Sequence, residues 1–131
     1  MRTEIITYIQ GLNLGTFSVS TELPYTDSGQ ALYIKNPKRI YVDEEQVENE
    51  PILETLNSSN VINEQESVTI YFSCDSKLLP ANYDTLVTDL KAARNIDTVQ
   101  NVFRRELDVS TGYDGDLLVT ELTIRFNKII T

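Results

Sequence analysis

Apolar and polar positions alternate most cleanly in ESVTIYFSCD, residues 66–75, where Val68, Ile70, Phe72 and Cys74 share one face and Thr69, Tyr71 and Ser73 share the other. A period of two predicts a half-buried strand. The period returns in LLVTELTIRFNKII, residues 117–130, with Leu118, Thr120, Leu122, Ile124 and Phe126 opposite Val119, Glu121, Thr123, Arg125 and Asn127. In VQNVFRRELDV, residues 99–109, Phe103, Leu107 and Val109 fall on one face with Arg105 among them. The intervening STGYDGD is a turn, so these last two strands are expected to form an antiparallel hairpin. Residues 16–24 also alternate, with Phe17, Val19, Thr21 and Leu23 facing one way as far as Pro24. YTDSGQ then predicts a turn and ALYIKN a strand, and KRIYV is a further extended piece with Ile40 and Val42 on one side.

Two stretches carry the helical period instead. Ile5, Ile6, Ile9 and Leu12 predict a helix over residues 3–10, with Thr3 as its N-cap and Gly11 as its stop. In LLPANYDTLVTDLKAARNI, Tyr83, Leu86, Val87, Leu90 and Ala93 form an apolar stripe. Asn82 or Pro80 marks its start, and Lys91 and Arg94 suit the negative end of the helix dipole. Two amphipathic helices cannot cover both faces of a sheet this wide. The expectation is one α+β domain over residues 1–131: an antiparallel or mixed sheet of four to six strands with both helices on one face. The second face, carrying Tyr, Thr, Arg and Glu, is then either wet or docked on a partner.

One segment fits neither period. DEEQVENEPILETLNSSNVINEQE, residues 43–66, holds eight carboxylates and no basic side chain. Its large aliphatics, Val47, Ile52, Leu53, Leu56, Val61 and Ile62, are few against the conformational entropy of fixing 24 backbones. It reads as a long acidic insert loop, mobile in a lone chain and ordered only against another subunit. Asp43, Glu44, Glu45, Glu48, Glu50, Ile52, Leu53 and Leu56 are its candidate subunit-contact or lumen residues. A solvated surface loop is the plain alternative.

Charge sharpens this picture. Eleven basic and twenty acidic residues give a net charge of −9. A body this acidic is not expected to hold nucleic acid tightly by neutralising phosphates, although nucleic acid could pass it without sticking. No apolar run is long enough for a membrane helix. The start of the chain, MRTEIITYIQG, lacks the apolar core of a signal peptide, so the protein is expected to fold where it is made.

Catalytic chemistry finds little to work with. The chain has no histidine, which excludes a Ser-His-Asp arrangement and histidine metal clusters. Its five glycines are dispersed, with no phosphate-cradling loop. Asp114 and Asp116 of YDGD fit a solvated hairpin turn better than a calcium loop, because Glu121 follows too soon to close one. Cys74, the single cysteine, falls on an apolar strand face and reads as a core thiol. No catalytic, cofactor or metal site is expected.

ESVTIYF, the short loop to LPANYDTLVTDL, the closing strand DGDLLVTELTIRFNKI and the helix at the very start together resemble the tail terminator proteins of long-tailed bacteriophages, the lambda type in particular. The match in pattern covers most of the chain and is best from residue 66 onward, while residues 43–66 match least. The resemblance implies a structural virion protein assembled in the host cytoplasm. It implies a hexameric ring on the last ring of tail-tube subunits, which stops tube polymerisation, joins the neck or head-completion protein, and lets DNA pass through its bore. It brings no catalytic residues and no cofactor. The alternatives are another neck or tail part, such as a head-completion or tail-tube protein, and a small acidic binding or inhibitor module. An enzyme would instead show a concave pocket holding a carboxylate of raised pKa.

Overall fold

A computed structural model describes residues 1–54 and 60–130. The chain runs α1 (Arg2–Gln10), β1 (Ser18–Val19), α2 (Leu32–Lys35), β2 (Arg39–Val42), β3 (Gln46–Glu54) and β4 (Asn60–Asp75). It continues through α3 (Tyr83–Lys91), a 3-10 turn at Ala92–Asn95, β5 (Val102–Asp114) and β6 (Leu117–Ile130). The fold is α+β, with a six-stranded sheet ordered β1-β2-β4-β6-β5 and β3 paired to β4 off that path. All pairings are antiparallel except β1 with β2. Because β6 lies between β4 and β5 and is antiparallel to both, β4 and β5 run in the same direction.

The alternation in β4 and β6 is the spine of the molecule. Val68, Ile70, Phe72 and Cys74 meet Leu122, Ile124 and Phe126 on one face, joined by Ile40 and Val42 of β2. Ile5, Ile6 and Ile9 of α1 and Leu86 and Leu90 of α3 close over that same cluster, so both long helices cover one face. Each fully buried Leu, Ile or Phe here contributes about 1.5–3 kcal/mol. Thr120 is a fully buried polar residue on this face, and its hydroxyl is satisfied by Tyr83, Oη to Oγ1 2.9 Å. Cys74 is fully buried, and burial together with the Asp75 charge pushes its thiol up.

Several expectations change on contact with the structure. Helix α1 starts at Arg2, so Thr3 lies inside the first turn and is not the N-cap. Asn82 precedes α3 but makes no side-chain cap bond. Its amide donates to the Leu14 carbonyl at 2.9 Å instead, tying the α1–β1 loop to α3. Gly15 passes beside that amide with φ of +60°, and a Cβ there would sit 2.6 Å from Asn82 Nδ2. The alternating stretch of residues 16–24 yields only the two-residue β1. The Ser20 hydroxyl accepts the Glu22 N–H and turns the chain away from the sheet, leaving Leu23 exposed.

ALYIKN is a single helical turn, not a strand. This turn lies across the second face. Tyr33 stacks on Tyr71 with ring centroids 4.7 Å apart, and Tyr25 meets both rings edge-on. The Ser73 hydroxyl donates to the Tyr33 carbonyl, and Asn36 Nδ2 donates to the Tyr41 hydroxyl at 2.9 Å. The chain therefore covers part of its own second face. In β5, a register shift between Val102 and Arg104 reverses the expected side: Val102 packs on the core, and Phe103 is 55% exposed.

Candidate functional site

Residues 43–66 are not one irregular loop. Residues 46–54 and 60–66 are the two arms of a hairpin, with Gln46 opposite Ser67 and Glu54 opposite Asn60. Strand β3 follows β2 along the same flank of β4. Between the pairs Val42–Ile70 and Gln46–Ser67, Asp43, Glu44 and Glu45 oppose only Val68 and Thr69. That extra residue is a bulge, and it throws the two faces of the arm into different chemistry.

On the helix-covered side, the base of the arm is a charge cluster. The Met1 ammonium lies 2.8 Å from Glu4 and 3.0 Å from Glu45. Glu66 and Lys128 form a partly buried pair at 2.9 Å. Burial raises the Glu66 carboxyl, but hydrogen bonds from Lys128 and Glu64 outweigh it and hold the group below its ordinary value. Glu64 moves the other way, raised first by its hydrogen bond to Glu66 and then by desolvation.

On the opposite side, Asp43, Glu44 and Glu48 rim an open polar hollow of about 370 Å³ floored by Gln65, Ser67, Thr69 and Thr123. Thr69 and Thr123 hydroxyls meet across the strands at 3.0 Å. Arg125 borders the hollow and is paired to Asp108 of β5. The carboxylate of raised pKa, Glu64, points to the other side of β4, away from this hollow. A larger hollow of about 500 Å³ lies between α1 and the turn after α3, walled by Thr3, Thr7, Tyr8, Ala92 and Ile96 with Glu4 and Asp97.

The candidate residues are thus separated by the bulge and the pleat. The Asp43 carboxylate accepts the Glu44 N–H at 2.7 Å, and its own N–H donates to the Thr69 carbonyl at 2.9 Å. Glu45 turns to the Met1 ammonium, while Glu48 and Glu50 are exposed on β3, opposite Gln65 and Asn63. Ile52 falls at a register shift between Pro51 and Leu53, and Leu53 opposes Val61. Leu56 lies outside the described residues. Asp114 and Asp116 flank Gly115 at the tip of the β5–β6 hairpin, where the Asp116 carbonyl accepts Ser76 N–H at 2.9 Å. Among the described residues, no three His, Cys, Asp or Glu side chains converge where a metal ion could sit.

Arg104, Arg125, Lys128, Glu64 and Glu66 escape a reading that treats residues 43–66 as a loop. The signal was available. Ile62, Glu64 and Glu66 continue the parity of Val68 and Ile70, so the strand extends backwards into the acidic segment.

Among known proteins, no family model and no curated sequence matches this chain.

Proposed function

We propose that this protein is a ring-forming structural subunit: the tail terminator of a long-tailed phage, closing the head-proximal end of the tail tube and offering a surface for head joining. The observation that carries the reading is the acidic arm. Strand β3 is nine residues long, pairs among the described residues with β4 alone, and exposes Val47, Glu48 and Glu50. A lone subunit gains little from holding such an element out, whereas a building block needs it for a neighbour or a bore. Carboxylates along a bore repel DNA phosphates, so a genome slides without adhering. The residue pattern that resembles tail terminators supports the same reading. In this role the chain works as part of a virion and catalyses nothing. Among the described residues, no helix is long and apolar enough to cross a membrane.

The test is the solution mass of the purified protein over a concentration series, with negative-stain images of the largest species. Closed rings of six support the reading. Tubes of indefinite length would make the chain a tube subunit. A monomer at every concentration that binds a basic protein tightly would make it an inhibitor module.

A further inference from the structure

Beyond the two-residue β1, the sheet ends on two long strands, β3 and β5, whose outer margins lie at the same height. The far edge of β2 is covered by β1, through Ser18–Arg39 and Val19–Ile40. The far edges of β3 and β5 carry no partner strand among the described residues. Followed across the registers, Glu48 faces Gln65, Gln65 faces Asn127, and Asn127 faces Arg104. The next row runs Val47, Glu66, Phe126, Arg105, and the one after runs Gln46, Ser67, Arg125, Glu106. The open stretch of β3 and the start of β5 therefore form the left and right margins of the same rows. Pro51, which has no N–H to offer a partner, limits a β3 ladder to residues before it.

The geometry points to a second copy of this chain as the occupant of both margins: β3 of one subunit adds to the 102–106 stretch of β5 in the next, extending one antiparallel sheet from copy to copy. This inference rests on the ring reading and deepens it. Strand direction is the first support. Within one subunit β3 is antiparallel to β4, and β4 is parallel to β5 through β6, so β3 and β5 oppose each other. A rotation about an axis along the strands preserves that relation, and it delivers the neighbour's β3 antiparallel to β5. The contact is then head-to-tail and able to close.

Charge is the second support. β3 carries Glu48, Glu50 and Glu54 with no basic residue, whereas the start of β5 carries Arg104, two-thirds exposed, and Arg105. A two-fold β3–β3 contact would set carboxylates against carboxylates, which disfavours it. The β3–β5 contact sets Glu48 beside the neighbour's Arg104, with exposed Val47 and Phe103 nearby.

Within one chain Glu48 and Arg104 lie three strand spacings apart, roughly 14 Å, too far for direct contact. Coupling between them therefore reports a contact between copies. The experiment measures self-association of full-length wild type, Glu48→Arg, Arg104→Glu and the double variant by sedimentation, with thermal melting to follow each chain's own fold. Because Arg104 also pairs with Glu106 at 2.8 Å, Arg104→Lys serves as the charge-keeping control. Each reversal is expected to weaken association by roughly fivefold or more, and the double variant to restore it. Hydrogen exchange on wild type is expected to protect the edge-facing amides of residues 46–50 and 102–106, those not bonded to β4 or β6, only in the assembled form. Rings that form without this protection, and without rescue in the double variant, overturn the β3–β5 contact and leave the ring reading standing. A two-fold dimer through β5, or a chain that stays monomeric throughout, overturns both.

Discussion

At the residue scale, Glu64 and Glu66 show how one strand face sets two carboxylates against each other. They stand two positions apart on β4, with Lys128 opposite Glu64 in register yet bonded to Glu66. Glu66, held below its ordinary value, stabilises the fold above the pKa of an unfolded glutamate, and that contribution fades as pH falls through its folded value. Glu64, raised, has the opposite sign: its contribution is complete below the unfolded pKa and is lost as pH rises through the folded one. Glu64→Gln removes the like charge and keeps a donor for Glu66. It is expected to raise stability by about 0.5–1 kcal/mol at neutral pH, with the gain vanishing well below the carboxylate range. Thermal melts of both proteins at pH 7 and in acid check this; an equal gain at both would contradict the repulsion account.

At the scale of elements, one side chain joins the β5 margin to the helix layer. Arg105 donates from one guanidinium nitrogen to the carbonyls of Arg94 and Ile96, each at 2.7 Å, and its guanidinium lies 4.8 Å from the centre of the Phe126 ring. Arg105→Met keeps the stem packed but leaves both carbonyls without this donor. Urea unfolding is expected to show a loss of about 1–2 kcal/mol, and Arg105→Lys to recover only part of it. A neutral substitution would mean that water replaces the latch at no cost. Elements with one apolar face, such as β4, β6 and α3, were legible in the sequence because burial imposes a period on them. β3 was not, because Val47 stands alone among Gln46, Glu48, Asn49 and Glu50, which gives neither face an apolar period, and only its pairing with β4 makes it a strand. The one-turn α2 was hidden for a related reason: what fixes it is Tyr33 stacking on a distant Tyr71, which no local pattern records. At Phe103 the alternation predicts a core position, but one bulge hands that position to Val102.

At the scale of the whole molecule, a net charge of −9 makes copies repel at long range, whatever attracts them at contact. Repulsion between bodies is screened beyond about 8 Å at physiological salt, while paired charges in contact are screened less. Self-association is therefore expected to be weak in dilute buffer, strongest at intermediate ionic strength, and weaker again in high salt. Sedimentation across a salt series checks this, and steady weakening from the lowest salt upward would contradict it. The candidate site was legible only as composition. That residues 43–66 are acidic was plain, but which of the described acids face the hollow, the Met1 ammonium or open solvent depends on the bulge at 43–45. The tyrosine trio on the second face has an optical consequence. The chain has no tryptophan, so its seven tyrosines dominate its near-ultraviolet spectrum. Burial and the hydrogen bonds of Tyr25 push the Tyr33 and Tyr71 phenols well above their ordinary range. In an alkaline titration these two phenolates should emerge only well above the ordinary tyrosine range, and their appearance gives a built-in colour signal for detachment of the α2 turn from the sheet.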